Sequence, residues 1–527
     1  MKLLVVESPT KARTIKKFLG EGWWVFATKG HVKDLPENEL GVDLNTLEFR
    51  VVFVRGKKKL LDELAKIAKR AEEVYIATDP DREGEAIAYW VWDYLKRFNK
   101  NIWRIAFYEI LPSAIKKALH EKRNIDMNLV YSQFARRVLD RLIGYLISPK
   151  ASKDLKTTIS VGRVQSPALR LIVEREEQIE NHKKKKSYYI KAVFEKDGIT
   201  FQATLPYRFE KPSNAEPFLN KVKDSLFMVK SFSIKEERKP PPKPFNTAEY
   251  LKEANQRLGL TVKEAQQLAQ KLYELGYITY PRTDSHRISE EKQKEFLSYI
   301  SDTYGRDYVG KPRKFKERQH SQLAHECIRP TRLDLLPSEI KERQVFDLIK
   351  VRTLQSLMAD WIIEDQKAIL VPLSAENLEF EAEGFRTLFP GWTIFERVQD
   401  QALPPLEEGH ILKPKKVFLE EVVSKPPERY TEGTLIKKLE SLGIGRPSTY
   451  QTLVDTLKSR NYVVVEKGRL KPTGLGRTLV SYLMENYPRL VDYGFTKLME
   501  DKLDEIEEGR RDWKELVREL YQTAILR

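Results

Sequence analysis

The stretch Glu73-Val74-Tyr75-Ile76-Ala77-Thr78-Asp79-Pro80-Asp81-Arg82-Glu83-Gly84-Glu85 decides the fold. Its first half is a short apolar run, the pattern of a buried strand. Asp79-Pro80-Asp81 turns the chain, and Glu83 to Lys96 reads as a helix. The same order stands at the start of the sequence, with a strand at Lys2 to Val6, a turn at Ser8-Pro9 and a helix from Thr10 to Leu19. Buried strands alternating with helices predict a small α/β domain with a mostly parallel sheet.

Both turns hold groups able to do chemistry. Glu7 and Lys11 stand at the first, and Asp79, Asp81 and Glu83 at the second. Carboxylates at a strand-to-helix junction suit a hard divalent cation such as Mg²⁺. Acids also enrich the first turn of ordinary helices, where they suit the dipole. An acid and a base facing three acids across neighbouring strand ends read instead as a phosphoryl-transfer site. Gly30-His31, after Phe26 to Lys29, adds a loop at the same edge.

A second string, Gly276-Tyr277-Ile278-Thr279-Tyr280-Pro281-Arg282-Thr283-Asp284-Ser285, ends a helix at Leu275-Gly276 and is expected to form a short strand from Tyr277 to Tyr280. A phenol with the ordinary pKa near 10 is a poor nucleophile unless positive charge stabilises the phenolate. Arg282 can supply that charge and grip a phosphate bidentately. Tyr277 falls on the opposite face by period-two alternation and reads as structural. In Ala324-His325-Glu326-Cys327-Ile328-Arg329-Pro330, the histidine has standing only through the residues around it, and Cys327 reads as a small buried filler.

Together with Val5-Val6-Glu7-Ser8-Pro9-Thr10-Lys11-Ala12, these strings resemble the type IA DNA topoisomerases, whose first domain is of the Toprim type. Toprim domains also occur in primases, some nucleases and type II topoisomerases, so the acidic motif alone implies only phosphodiester chemistry on nucleic acid. The resemblance runs from Leu3 to about Trp513, with the motifs in the family's order. It implies that Tyr280 attacks single-stranded DNA and keeps the 5′-phosphate, with Glu7 as proton donor to the leaving 3′ oxygen. Lys11, Arg282 and His325 would position the phosphate, while Glu7, Asp79, Asp81 and Glu83 would hold Mg²⁺. Bond energy is conserved, so no ATP is expected, and the chain has no GxxxxGK[ST] string.

The resemblance also marks a DNA track at His31, Arg136, Arg137, Asp140 and Tyr145, along Ser160-Val161-Gly162-Arg163-Val164-Gln165, and at Arg446, Ser448 and Thr449. The plainer account of Arg136 and Asp140 is an i, i+4 pair, worth roughly 0.3–0.5 kcal/mol on a helix surface. After Pro149 the chain reads Lys150-Ala151-Ser152, where many relatives carry an aromatic, so base selection at the cut departs from the pattern. The run Lys183 to Lys186 matches nothing in the family and reads as a solvated linker. The string Arg446-Pro447-Ser448-Thr449-Tyr450 favours a bacterial topoisomerase I-like relaxing enzyme over a topoisomerase III-like decatenase or the topoisomerase subunit of a split reverse gyrase.

The bulk composition agrees with a nucleic-acid partner. Lysine and arginine number 93 against 77 acidic residues, a net charge of +16 and a pI near 9.3, which favours a polyanion. The single cysteine excludes a disulfide framework or a thiolate zinc site within these residues. Sparse Cys and Met with high charge lean towards a heat-adapted source. No apolar run approaches the ~20 residues of a membrane span. A monomeric, cytoplasmic, nucleoid-associated protein is expected.

With 527 residues, several domains are required. The fold class expected is multi-domain α/β and α+β: a Toprim domain, winged-helix-like domains and a β-rich arch forming a toroid. The boundaries read as 1–125 for the Toprim domain, and 126–186 with 428–527 for a mostly helical winged-helix-like base. The arch takes 187–244 with 353–427, and 245–352 carries the tyrosine. The Pro-rich stretch Lys239 to Pro244 is the expected hinge region. Two other readings remain on the sequence: a Toprim primase or nuclease, which leaves the tyrosine string unexplained, and a non-catalytic DNA-binding protein, which leaves the acids without a task.

Overall fold

In the computed structural model, which describes residues 1–315 and 325–526, the first strand Lys2–Val6 lies inside a four-stranded sheet. Its neighbours are Trp23–Ala27 on one side and Val74–Ile76 on the other, with Ile102–Arg104 beyond. All three pairings are parallel. Period-two alternation gives the strand two cores. Leu3 and Val5 pack among Leu61, Leu64 and Val91, whereas Leu4 and Val6 join the large cluster that extends into the helical units. The α/β layer is thus fastened to the rest of the molecule through the back of its own sheet.

The helices begin where polar caps allow. Ser8 caps Pro9–Leu19 and Asp81 caps Arg82–Leu95 through its side chain. A capping box opens Val262–Glu274, the helix leading to the tyrosine string. The helix expected from Asp126 to Ile147 runs on through Pro149 to Leu155.

The arch is a seven-stranded antiparallel sheet. Its order is Ile411–Leu412, Phe227–Lys239, Trp361–Pro372, Phe380–Phe389, Ile199–Thr204, Lys186–Lys196 and Lys416–Val423. It has its own core, built on Phe194, Phe227 and Phe380. The sequence boundary at 352/353 falls inside the helix Ile340–Leu357, so the sheet resumes only at Trp361. The lysine run is also not all linker. Lys186 pairs with Val423 in the edge ladder, and the Lys185 amide donates to Ser424 Oγ at 2.9 Å. Towards the end, Glu432–Leu442 and Tyr450–Ser459 are followed by the hairpin Val463–Glu466 and Arg469–Pro472, a helix-turn-helix with a wing. No helix among the described residues is long and apolar enough to cross a membrane.

Candidate active site

The acidic junction forms because two backbone demands meet there. Asp81 Oδ1 accepts from the Gly84 amide at 2.7 Å, capping the helix. A side chain at Gly84 would bring a Cβ within 1.9 Å of the Asp79 carbonyl oxygen, so only glycine lets the turn close. Arg104, fully buried, ties the turn from below by donating to the carbonyls of Thr78 and Asp79 at 2.8 Å and to Glu85 at 2.9 Å.

Above this junction sits the tyrosine. The expected strand from Tyr277 to Tyr280 does not form; there is a single bridge from Ile278 to Pro330. Its backbone partners belong to irregular segments. The Thr279 amide donates to Arg329 O at 2.9 Å, and the Tyr280 amide to Tyr108 O at 2.8 Å. Gly276, at φ +86° and with its Cβ position 2.8 Å from Ile110 O, marks the same close approach between the tyrosine unit and the α/β domain. Tyr277 turns away and packs its ring against Phe346.

Tyr280 is only 2% exposed. Its hydroxyl donates to Asp81 Oδ2 at 2.5 Å, an oxygen that Arg282 Nη1 approaches at 3.4 Å. Burial, and then the Asp81 and Asp79 carboxylates, raise the phenol pKa well above its ordinary value, with Arg282 opposing. The phenol is therefore held protonated in this conformation.

Lys11, fully buried, donates to Asp79 Oδ1 at 3.1 Å and to Glu7 Oε1 at 3.4 Å. Its pKa is raised, the two carboxylates outweighing burial. Asp79 is brought down to about 2, because Lys11 and its other partners overcome burial. Glu7 goes the other way: burial and then Asp79 raise it well above the usual carboxylate range. Its Oε2 is buried without a donor. A proton on Glu7 relieves both strains.

The expected metal set is not gathered around one point. Among the described residues, no three His, Cys, Asp or Glu side chains are placed to hold a metal ion. Asp79 is taken by Lys11 and by Gln270 Nε2 at 3.3 Å. Asp81 is taken by Tyr280 and Arg282, and Glu83 by His31 Nε2 and Gln133 Nε2, each at 3.4 Å. The four carboxylates are hard oxygen donors of the right type, each engaged by side chains of the protein, with Lys11 shared by Glu7 and Asp79.

Two cavities flank the junction. One, of about 420 Å³, is lined by Asp81, Arg282, His325, Arg446 and Ser448; the second, of about 320 Å³, by His31, Glu83, Arg136, Arg137, Asp140, Arg163, Ser448 and Thr449. His325 thus shares a cavity with Arg282, its ring 4.8 Å from that of Tyr108. Ala324 lies outside the described residues.

The other track residues stand apart from the cavities. Tyr145 donates to Glu37 O at 2.6 Å, the Ser160 amide donates to Tyr462 Oη at 2.7 Å, and Gln165 Nε2 donates to Ser160 O at 3.0 Å. Val161 and Val164 are buried, and the Gly162 amide donates to Ser166 Oγ at 3.4 Å. These residues brace the loop rather than open onto the cavities.

Arg136, Arg163 and Arg446 are 5%, 3% and 6% exposed, and each is ion-paired within the fold. The Arg136–Asp140 pair does not form: Asp140 takes Arg163 at 3.0 Å, and Arg136 turns to Glu500 and Asp504. Arg137 makes a fork to Asp34 at 2.8 and 2.9 Å. Sequence reasoning missed the carboxylates of Tyr493–Glu507 that take up these charges. Their i, i+4, i+7 spacing at Glu500, Asp504 and Glu507 was the available signal.

Known proteins share both the motifs and the fold. Residues 124–518 match the family model described as DNA topoisomerase, and residues 2–110 match the Toprim domain. The chain is 51% identical over 529 residues to DNA topoisomerase 1 of Aquifex aeolicus, covering 99% of this chain and 98% of that protein. The structure of full-length topoisomerase I from Thermotoga maritima matches with a TM-score of 0.89 at 36% identity, covering 99% of this chain and 89% of that one.

Proposed function

The chain belongs to the type IA DNA topoisomerases, and from that premise we propose how its own residues cut and rejoin a strand. Its fold is the family's toroid, with the Toprim domain at the amino-terminal side. The observation that carries the site assignment is the hydrogen bond from Tyr280 to Asp81, which joins the tyrosine string to the acidic junction across two units of the chain.

Tyr280 is the nucleophile. When the strand enters, the phenol leaves Asp81, and Arg282 and Lys11 supply the positive charge that favours the phenolate and the developing phosphorane. Tyr280 Oη gives up its proton to solvent in the opened cleft and bonds to phosphorus as the 3′ oxygen departs, and Glu7, already carrying a proton, donates it to that oxygen. Rejoining reverses the step: the 3′ hydroxyl returns its proton to Glu7, attacks phosphorus and releases Tyr280. His325, beside Arg282 on the cavity wall, orients the phosphate.

Asp79, Asp81 and Glu83, beside Glu7, are the residues that would hold Mg²⁺ once the phenol has released Asp81; bound there, it would supply positive charge at the phosphate for rejoining. The lowered pKa of Asp79 and of Glu83 keeps both anionic for that task. His31, Arg136, Arg137, Asp140, Arg163, Arg446, Ser448 and Thr449 border the strand's path, and Tyr145 with Ser160 to Gln165 shape the loop behind it. The 51% identity to a DNA topoisomerase 1 favours relaxation of negatively supercoiled DNA over decatenation.

The test uses negatively supercoiled plasmid with Mg²⁺ and no ATP. The wild type relaxes it in steps and Tyr280→Phe does not. Equal relaxation by the variant contradicts the assignment, and ATP dependence contradicts the mechanism.

A further inference from the structure

The turn Thr28-Lys29-Gly30 joins the active site to the outer surface of the α/β domain. On its inner side the Thr28 amide donates to Val6 O at 2.8 Å and the Gly30 amide to Glu7 O at 3.1 Å. Next in the chain, His31 lines the second cavity. On its outer side Lys57 Nζ donates to the carbonyls of Thr28 and Lys29, each at 2.7 Å. Two loops are thereby locked together: residues 28–31, after the edge strand Trp23–Ala27, and residues 54–59, where the helix Lys57–Ala68 begins.

The lock gathers cations. Lys29, Arg55 and Lys59 are exposed, and Lys57 is half-buried. None of the four has a carboxylate partner among the described residues, whereas their neighbours Lys33 and Lys58 pair with Asp93 and Asp62. Backbone and helix both give up stability for this arrangement. Lys29 holds the left-handed conformation at φ +58°, which a residue with a Cβ adopts at a cost. The helix Lys57–Ala68 opens on three lysines, with no acid in its first turn, which is the wrong charge for that end of the dipole. Burial and then the Lys29 ammonium hold Lys57 below its ordinary pKa, so two cations face each other with no counter-ion. Like charges held together in this way call for an anion from outside.

The place of the patch says which anion. In the proposed cut Glu7 gives its proton to the 3′ oxygen, so the fragment ending in that oxygen, on the 5′ side of the cut, lies towards Glu7 and the turn that backs it. Single-strand sites interleave aromatic rings with cations so that bases can stack, and residues 28–30 and 54–59 contain no aromatic. A surface of cations alone suits a duplex, which presents its phosphates outward. We propose that Lys29, Arg55 and Lys59, with Lys57 fixing the turn, seat backbone phosphates of the duplex arm on the 5′ side of the cut, outside the cavities that take the single strand. The inference rests on the reading that the strand lies in those cavities with its 3′ oxygen at Glu7.

The test measures binding of two fluorescent DNAs to the full chain carrying Tyr280→Phe, at several KCl concentrations, with Tm read on the same samples. One DNA is a single strand; the other is that strand with a hairpin closing its 5′ side. The parent should bind the hairpin DNA more tightly and with the steeper salt slope. Combining Lys29→Gly, Arg55→Gln and Lys59→Gln keeps the left-handed turn and removes only charge. This variant should bind the hairpin DNA about tenfold more weakly than the parent, with a salt slope flatter by about two to three. It should bind the single strand within about twofold of the parent, at the parent's Tm. Arg55→Gln alone should flatten the hairpin slope by about one. Equal weakening on both DNAs overturns the proposal, since the patch then serves the single strand. So does hairpin binding that the substitutions leave unchanged, or the same loss with the hairpin moved to the 3′ side. A parent that binds neither DNA contradicts the reading of the cavities; one that binds the single strand and gains nothing from the hairpin contradicts this inference alone.

Discussion

The Tyr280 hydroxyl spends the closed state as a donor to Asp81, and Glu7 spends it as an acid. Burial acts on both groups and has the same result, since each is kept neutral. The two neutral forms are what the proposed cut needs in store: a phenol to lose its proton and a carboxyl to give one. Glu7→Gln keeps the shape and the neutrality but has no proton to give, so oligonucleotide cleavage should fall by about 10²–10⁴-fold. The wild-type cleavage rate should fall as pH rises through the raised pKa of Glu7, and a single-turnover pH profile checks this. The linkage has the same sign. With its folded pKa above the ordinary 4.5, Glu7 adds stability that is complete below that value and is lost as pH rises through the folded pKa. Chelation of Mg²⁺ separates the two half-reactions: an oligonucleotide should still form the covalent adduct, whereas rejoining stops, and rejoining unaffected by chelator would count against the metal's assigned task. At this scale the sequence was readable where short strings hold residues that meet in the fold, as Glu7 and Asp79 do at Lys11 and Asp81 does at Tyr280. The ion pairs of Arg136, Arg163 and Arg446 with Glu500 and Asp504 were not readable, because those carboxylates lie more than fifty positions away in the chain.

The strand-to-helix junction is built to keep the site's shape. Glu85, buried, takes Arg104 Nε at 2.9 Å and Arg123 Nη1 at 2.7 Å, and also caps the Asp126 amide at 2.7 Å. Burial alone would raise its pKa, yet Arg104 and Arg123 bring it to about 2. Its contribution to stability is therefore present above its ordinary value of 4.5 and lost as pH falls towards about 2. Glu85→Gln leaves Arg104 buried without its counter-charge and should cost about 3–5 kcal/mol, read from urea unfolding at neutral pH. A loss under about 1 kcal/mol, the size expected of an exposed pair, would show that Arg104 finds water instead. Helices were legible because their starts are written locally, in Ser8, Asp81 and the Thr261–Glu264 box. The segment 277–280 was not, because its partners, Tyr108 and Arg329, come from loops distant in sequence and of no regular pattern.

Across the whole molecule, the active site is a seam. Tyr280 and the acids sit on different units, joined by polar contacts that include Tyr280 to Asp81, the Tyr280 amide to Tyr108, Gln270 to Asp79 and Arg329 Nη1 to Glu109 at 3.2 Å. Tyr280 cannot meet DNA while buried there, so the seam must open without either unit unfolding. Hydrogen exchange should report this: the Tyr280 amide, bonded across the seam, exchanges faster than the Ala77 amide, bonded within the sheet to Val5 O at 2.7 Å. Equal protection of the two would mean that the seam opens only with global unfolding. The mixed α/β character was legible because strands and helices keep their own periodicity; the seam was not, since it depends on which loops meet. The most direct test of the central claim is to trap the reaction with denaturant on a single-stranded oligonucleotide carrying a 5′ or a 3′ label, and to map the linked peptide by mass spectrometry. The account predicts one adduct, a 5′-phosphate ester on Tyr280, carrying the label from the 3′ side of the cut. An adduct on Tyr277 or Tyr273, linkage through a 3′-phosphate, or cleavage with no adduct would contradict it.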